Sequence, residues 1–162
     1  MQNISIGKSY HIDDSFFLLV NDPCLMSNKE NKHYRPHFFF FADPQTPGIF
    51  WAVPQSSQVA KYQAIVNKKI AKNKKCDTIV IGNYGGTDNA FLIQNMFPII
   101  DRFVDHEHTI NGTSVTIHNG LSNEITKKAL KVLSLYRKGH THLLYPDANK
   151  IYDIMVQELQ KP

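Results

Sequence analysis

The apolar positions of this chain change rhythm several times. Short runs of aromatic and β-branched residues between turn signals predict strands, because such side chains suit a pleated, half-buried surface. Residues 6–12 make the first. His37-Phe38-Phe39-Phe40-Phe41 and Ile49-Phe50-Trp51-Ala52-Val53 follow, and the Asp43-Pro44 and Pro47-Gly48 turns between them predict a hairpin. Asp77 to Ile81 and Ala90 to Gln94 are strands on either side of a glycine-rich turn from Asn83 to Asn89. Met96 to Val104 continues in extended form, and Thr109 to Ile117 holds an Asn111-Gly112 turn. Helical spacing replaces alternation in four places. Asp13-Asp14-Ser15 caps a short helix through Phe16, Phe17, Leu19 and Val20, and a longer helix is capped by Ser56 or Ser57. A third is capped by Ser122 and runs to about Lys138; a fourth starts near Asp147. Asn21 to Lys32 is a polar loop.

Strands cluster in the middle of the chain without a regular strand–helix–strand alternation. The expected fold is therefore α+β, one domain over residues 1–162, with a mostly antiparallel, barrel-like sheet flanked by helices. With 42% hydrophobic and 20% charged residues in 162, the chain can bury a core without covalent staples. Cys24 and Cys76 lack a CxxC spacing and a close His, which argues against a disulfide framework or a structural zinc site. No run approaches the 18 or so apolar residues of a membrane span, and no basic-then-apolar leader opens the chain, so a cytoplasmic location is expected. A net charge of +4 favours a polyanionic partner, since lysines that neutralise phosphates release counterions.

That charge is patterned. Lys61, Lys68, Lys72 and Lys75 follow one another at offsets of seven, eleven and fourteen residues, one narrow sector of a helical wheel, with Val59, Tyr62, Val66 and Ile70 roughly opposite. Free amides, the positive end of the helix dipole and Lys61 would meet a phosphate near Ser56 or Ser57. The alternative is a solvated lysine face behind a simple serine cap. Other candidates carry less. His106-Glu107-His108 and His140-Thr141-His142 have the period-2 spacing that puts both rings of a pair on one strand face, but no third or fourth metal ligand follows at a recognisable spacing. Gly82-Asn83-Tyr84-Gly85-Gly86 lacks the Lys-Ser/Thr ending of a P-loop and reads as a turn.

Tyr34-Arg35-Pro36 before the hairpin, Val53-Pro54 with the serine pair, Lys61-Tyr62, Cys76-Asp77-Thr78-Ile79-Val80, and Ala90-Phe91-Leu92-Ile93-Gln94-Asn95-Met96-Phe97-Pro98-Ile99 together resemble the toxins of type III toxin–antitoxin systems, the ToxN/AbiQ superfamily, and within it the CptN-type branch. The resemblance covers roughly residues 8–158. It implies a metal-independent, sequence-preferring endoribonuclease toxin of phage defence on a twisted antiparallel sheet with helices, needing no cofactor. It also implies that a small repeated RNA, folded into pseudoknots, restrains the toxin and is processed by it, and that toxin and RNA close into a multimer. Carried over by position, the active-site hydroxyl falls on Ser57 beside Ser56, the basic residue before the hairpin on Arg35, and an N-terminal tyrosine on Tyr10. The family's lysine two residues after the hydroxyl meets Val59 here; Lys61, four residues from Ser57, takes its place.

These residue types suit RNA cleavage by its own 2′-hydroxyl, which needs in-line geometry, loss of a proton and stabilisation of charge on the phosphate. Arg35 and Lys61 would hold the phosphate, and Ser57 would position it or carry a proton. His11 and His37 are candidate general bases that also fit as packing residues. Lys8, His37, Lys68, Lys69, Lys72, Lys75, Lys127 and Lys131 are expected to hold antitoxin RNA and target mRNA, mainly through salt-sensitive contacts. The same basic face would equally serve a non-catalytic protein that holds structured RNA; a third, weaker reading is a metal-dependent hydrolase built on the histidine pairs.

Overall fold

In the computed structural model, residues 3–25 and 37–162 are described. Strands β1 (Ser9–Ile12), β2 (Phe38–Ala42), β3 (Ile49–Ser56), β4 (Ile79–Tyr84), β5 (Thr87–Leu92), β6 (Phe97–Ile100) and β7 (Val104–Glu107) form one antiparallel sheet. Their order is β4-β5-β3-β2-β1-β7, with β6 joined to β3. Helices α1 (Asp14–Val20), α2 (Val59–Ala71), α3 (Asn119–Arg137) and α4 (Ala148–Leu159) flank it, and a separate two-stranded ribbon pairs β8 (Thr109–Ile110) with β9 (Thr113–Ser114) around Asn111-Gly112. The fold is α+β as the sequence implies, but the sheet is open rather than barrel-like: β4 and β7 end its path without meeting.

Strand β3 is the spine. One edge pairs with β2 from Phe38↔Pro54 to Ala42↔Phe50. The other carries β6 along Ile49 to Ala52 and then β5 at Gln55 and Ser56. Because side chains alternate, each strand feeds two cores. Phe39, Phe41, Trp51 and Val53 pack under α3 with Ile125, Ala129, Val132 and Leu133, while Tyr10, Phe38, Phe40 and Ala52 face the opposite layer with Phe16 of α1 and Ile151 and Met155 of α4. A third, smaller cluster joins Tyr62 of α2 to Ile79, Ala90 and Leu92. Thus all four of Phe38 to Phe41 are buried, two in each layer, and none is left on the surface to stack a base.

Local chemistry sets the helix ends. Asp13 caps α1 by accepting from Ser15 N at 2.8 Å, and Asn21, in the left-handed region at φ 46°, closes it. Asp147 caps α4 through Lys150 N at 3.1 Å. Two expected caps are displaced. Helix α3 begins three residues before Ser122, and His118 Nδ1 accepts from Gly120 N at 3.1 Å, while Ser122 is buried inside the first turn. Helix α2 begins at Val59, so Ser56 remains in β3, where its Oγ accepts from Gln58 N at 3.2 Å. The helix stops at Ala71, leaving Lys72 at its end and Lys75 beyond Asn73, which turns left-handed at φ 54°. The lysine sector is therefore shorter than its wheel, and its apolar side is Tyr62, Ile65 and Val66; Ile70 is 58% exposed.

At the far end of the β2–β3 hairpin, the enclosed Asp43 carboxylate ties the sheet to α3. It accepts from Trp51 Nε1 at 2.7 Å, Gln45 N at 2.7 Å, Thr46 N at 2.8 Å and the Arg137 guanidinium at 2.6 Å. The guanidinium carbon lies 6.0 Å from the Trp51 ring and 5.5 Å from that of Tyr152 on α4.

Candidate active site

The C-terminal end of β3 forms one corner of the sheet. Gln55 N donates to the carbonyl of His37 at 3.2 Å, Gln55 Nε2 donates to Ser9 Oγ, and Ser56 pairs with Ala90 of β5. Ser56 is half-buried and Ser57 exposed in the short link to α2. Because Ser57 precedes the helix by two residues, the i,i+4 relation expected between it and Lys61 does not exist. Lys61 is exposed, with its ammonium 5.2 Å above the ring of Tyr62. Tyr10 points to the other side of β1: it is buried, stacked on Phe40 at 5.4 Å, and its hydroxyl accepts from Ser5 N at 2.7 Å. The structure thus brings Ser56 and Ser57 to one corner and places Tyr10 in the core. Tyr34 and Arg35 lie outside the described residues.

What the sequence does not announce is a gathering of four imidazoles at this corner. Strand β1 pairs with β7 across nearly a hundred residues of chain, with an irregularity between Tyr10↔Glu107 and Ile12↔Val104. That pairing sets His106 and His108 against His11. His11 Nε2 and His108 Nδ1 are hydrogen-bonded at 2.9 Å, the His106 ring stacks on His11 at 4.5 Å, and His37 stacks on His108 at 4.0 Å with planes 6° apart. Tyr84, at the tip of β4, lies 5.5 Å from His37. Glu107, between His106 and His108, turns away to Lys8 at 2.9 Å and to the Ser114 hydroxyl.

The electrostatics follow from crowding. Burial first, and then the rings of His108 and His11, push the His37 imidazole down to about 3, against the opposing pull of the Gln55 side chain, which favours the protonated ring. Burial and His106 lower His108 as well. Burial raises the Tyr84 phenol despite the Ser9 hydroxyl beside it. Hydrogen bonds from Ser114 and Lys8 hold Glu107 below the usual carboxylate range. Neutral imidazoles at neutral pH can accept or relay a proton. The rings stack instead of converging, and among the described residues no three His, Cys, Asp or Glu side chains are placed to hold a metal ion. His140 precedes and His142 lies within a 3-10 turn at Thr141–Leu143, not a strand, and both are exposed.

The lysines divide into two kinds. Lys68, Lys72, Lys75 and Lys127 are exposed. Lys8 is engaged with Glu107, Lys69 donates to Thr78 Oγ1 at 2.9 Å, and Lys131 pairs with Asp77 at 2.5 Å. Beyond the C-terminal end of α2, Lys74 and Lys75 face Glu124 and Lys128 of α3 across β4, around an open groove of about 640 Å³. Among the described residues no helix is long and apolar enough to cross a membrane.

No protein-family model matches the sequence, and no curated protein does. Among solved structures, the chain is similar to AbiQ, a lactococcal anti-phage endoribonuclease belonging to the type III toxin–antitoxin system, with a TM-score of 0.70 and 10% identity over 95% of this chain and 98% of that one. The likeness spans nearly the whole of both chains, and what it establishes is that this chain has the AbiQ fold.

Proposed function

We propose that this chain is a single-domain endoribonuclease toxin of a type III toxin–antitoxin system, acting in the cytoplasm on mRNA and restrained by a repeated pseudoknot RNA that it also processes. The observation that carries this reading is the likeness to AbiQ over 95% of the chain, together with the family-like serine segment at the end of β3. The chemistry is metal-independent transesterification. The RNA 2′-hydroxyl attacks the adjacent phosphorus, leaving a 2′,3′-cyclic phosphate and a free 5′-hydroxyl. Ser57, exposed beyond the strand, positions the scissile phosphate with Ser56 beside it. Lys61 and Arg35 neutralise the charge that develops on its oxygens, and the exposed lysines of α2 and α3 hold the flanking strand. A CptN-type affiliation and a closed toxin–RNA assembly belong to the same proposal.

The test is purified protein against a long single-stranded RNA in EDTA, with product ends analysed, beside Ser57→Ala. Discrete fragments ending in cyclic phosphate, reduced at least a hundredfold in the variant while RNA affinity holds, support the reading. Binding without cleavage by the wild-type protein replaces it with the second one, a non-catalytic holder of structured RNA. Cleavage that stops in EDTA points instead to a metal-dependent hydrolase.

A further inference from the structure

The histidine corner is an unusual thing to build into a sheet. On the same layer, neighbouring strands place Phe39 and Val53, which fill the core without polar atoms. His11 is as enclosed as many core residues, 8% exposed, yet it is an imidazole hydrogen-bonded to a second imidazole. A packing role would be met by an aromatic hydrocarbon; a ring with two nitrogens in this position adds the ability to fix the tautomer of its partner. The partner, His108, is half-exposed at the rim, and His37 covers one of its faces. A buried group orienting the ring of a more accessible base is the arrangement that activates proton acceptors.

From this geometry we infer that His108 is the general base of the proposed ribonuclease and that His11 is its positioning residue. The inference rests on the ribonuclease reading above. This role requires the tautomer in which His108 Nδ1–H donates to His11 Nε2 across their 2.9 Å contact, so that His108 Nε2 presents its lone pair away from the pair. That nitrogen takes the proton of the RNA 2′-hydroxyl as the 2′-oxygen bonds to phosphorus and the bond from phosphorus to the 5′-oxygen breaks. The departing 5′-oxygen takes a proton from water, and the proton on His108 returns to solvent, so atoms and charge balance without any further reactant. His37, stacked at 4.0 Å, fixes the plane of the base from one side. Gln55, which links the corner to the serines through the chain, holds Ser9 and the His37 strand.

The experiment is single-turnover cleavage of one RNA in EDTA by wild type, His108→Ala, His108→Gln and His11→Ala, with RNA affinity and circular dichroism measured on each. The expected result for His108→Ala is a loss of about 10²- to 10⁴-fold in the cleavage rate with RNA affinity within threefold of wild type. Added imidazole should restore part of the rate to His108→Ala alone, since the cavity left by glutamine is filled. His11→Ala should lower the maximal cleavage rate with the half-saturating protein concentration unchanged and should not respond to imidazole. If His108→Ala does not fold, His108→Gln carries the comparison of rates. A folded His108 variant that cuts within tenfold of wild type, or a loss that imidazole does not reverse in folded His108→Ala, overturns the assignment. Failure of the wild-type protein to cut at all overturns the ribonuclease reading instead, so the two failures are told apart.

Discussion

Replacing Arg137 by alanine should unfasten α3 from the β2–β3 hairpin. The guanidinium is the charged partner of Asp43, whose side chain has no solvent exposure, while Arg137 itself is 21% exposed. A hydrogen bond to a charged group contributes about 1.5–3 kcal/mol, and removing one partner leaves the enclosed carboxylate with neutral donors only. The flanking Trp51 and Tyr152 rings add about 0.5–1 kcal/mol through the cation–π contacts. The expected loss is about 3 kcal/mol near neutral pH, or about 6–12 °C in Tm for a chain of this size. Urea unfolding followed by circular dichroism measures it. The pH dependence is a second check. Burial alone would raise the Asp43 carboxyl, but hydrogen bonds from Trp51, Gln45, Thr46 and Arg137 outweigh it and hold it below its ordinary 3.8. A depressed carboxyl contributes stability that is present above the unfolded value and is lost as pH falls through the folded one. The penalty of Arg137→Ala should therefore be full at pH 7 and shrink in acid. A penalty below about 1 kcal/mol at pH 7, or one that grows as the pH is lowered, would refute the reasoning.

Three further outcomes are expected. His37 titrates near 3 in the folded chain against an ordinary 6.5, so the unfolded chain binds the extra proton between those values and wild-type stability should rise with pH across that window; His37→Asn should flatten the slope, and an unchanged slope in urea titrations contradicts it. Lys68→Glu/Lys72→Glu should weaken RNA binding by at least tenfold at low salt and make the log–log salt dependence shallower, and normal binding by this variant removes those lysines from the RNA surface. At the β4–β5 turn, Gly85 and Gly86 both have positive φ, 63° and 87°. Gly86→Ala meets open space and should cost about 1–2 kcal/mol from the left-handed backbone alone, and Gly85→Ala, whose Cβ falls 2.1 Å from the far end of the Ile110 side chain, should cost at least as much as that side chain swings aside, both read in thermal unfolding scans.

The hairpin, the β4–β5 turn and the four helices were legible because each is written in local chemistry: Pro47-Gly48, Gly85-Gly86, Asp13 and Asp147 act on their near neighbours. Ser122 misled as a cap because His118, a less usual capping residue, offers its ring nitrogen four residues earlier. The serines at the end of β3 were visible as hydroxyls before a helix, yet their strand runs three residues past Val53, which moves the helix start to Val59. The histidine corner was half visible. Period-2 spacing put His106 and His108 on one face, as the rings show, but only the pairing of β1 with β7 brings them to His11, and a contact across 97 positions leaves no local trace. Tyr10 was drawn toward the site by its place in the chain, and the one-residue alternation beside His11 sends it to the opposite core.

The open sheet has a consequence for life in a crowded cell. A strand at the end of a sheet exposes unpaired amides and carbonyls that can recruit the same strand from another copy and seed aggregates. At one end of the path that strand is β4, rich in β-branched residues at Ile79, Val80 and Ile81, a hazardous sequence to leave at an edge. It lies on the floor of a groove walled by α2 and α3, with Lys74 and Lys75 at one rim and Lys128, paired with Glu124 at 3.0 Å, at the other. Two copies approaching edge to edge would meet walls and like charges before their backbones met. For a second copy of the chain, that groove is a barrier to self-association.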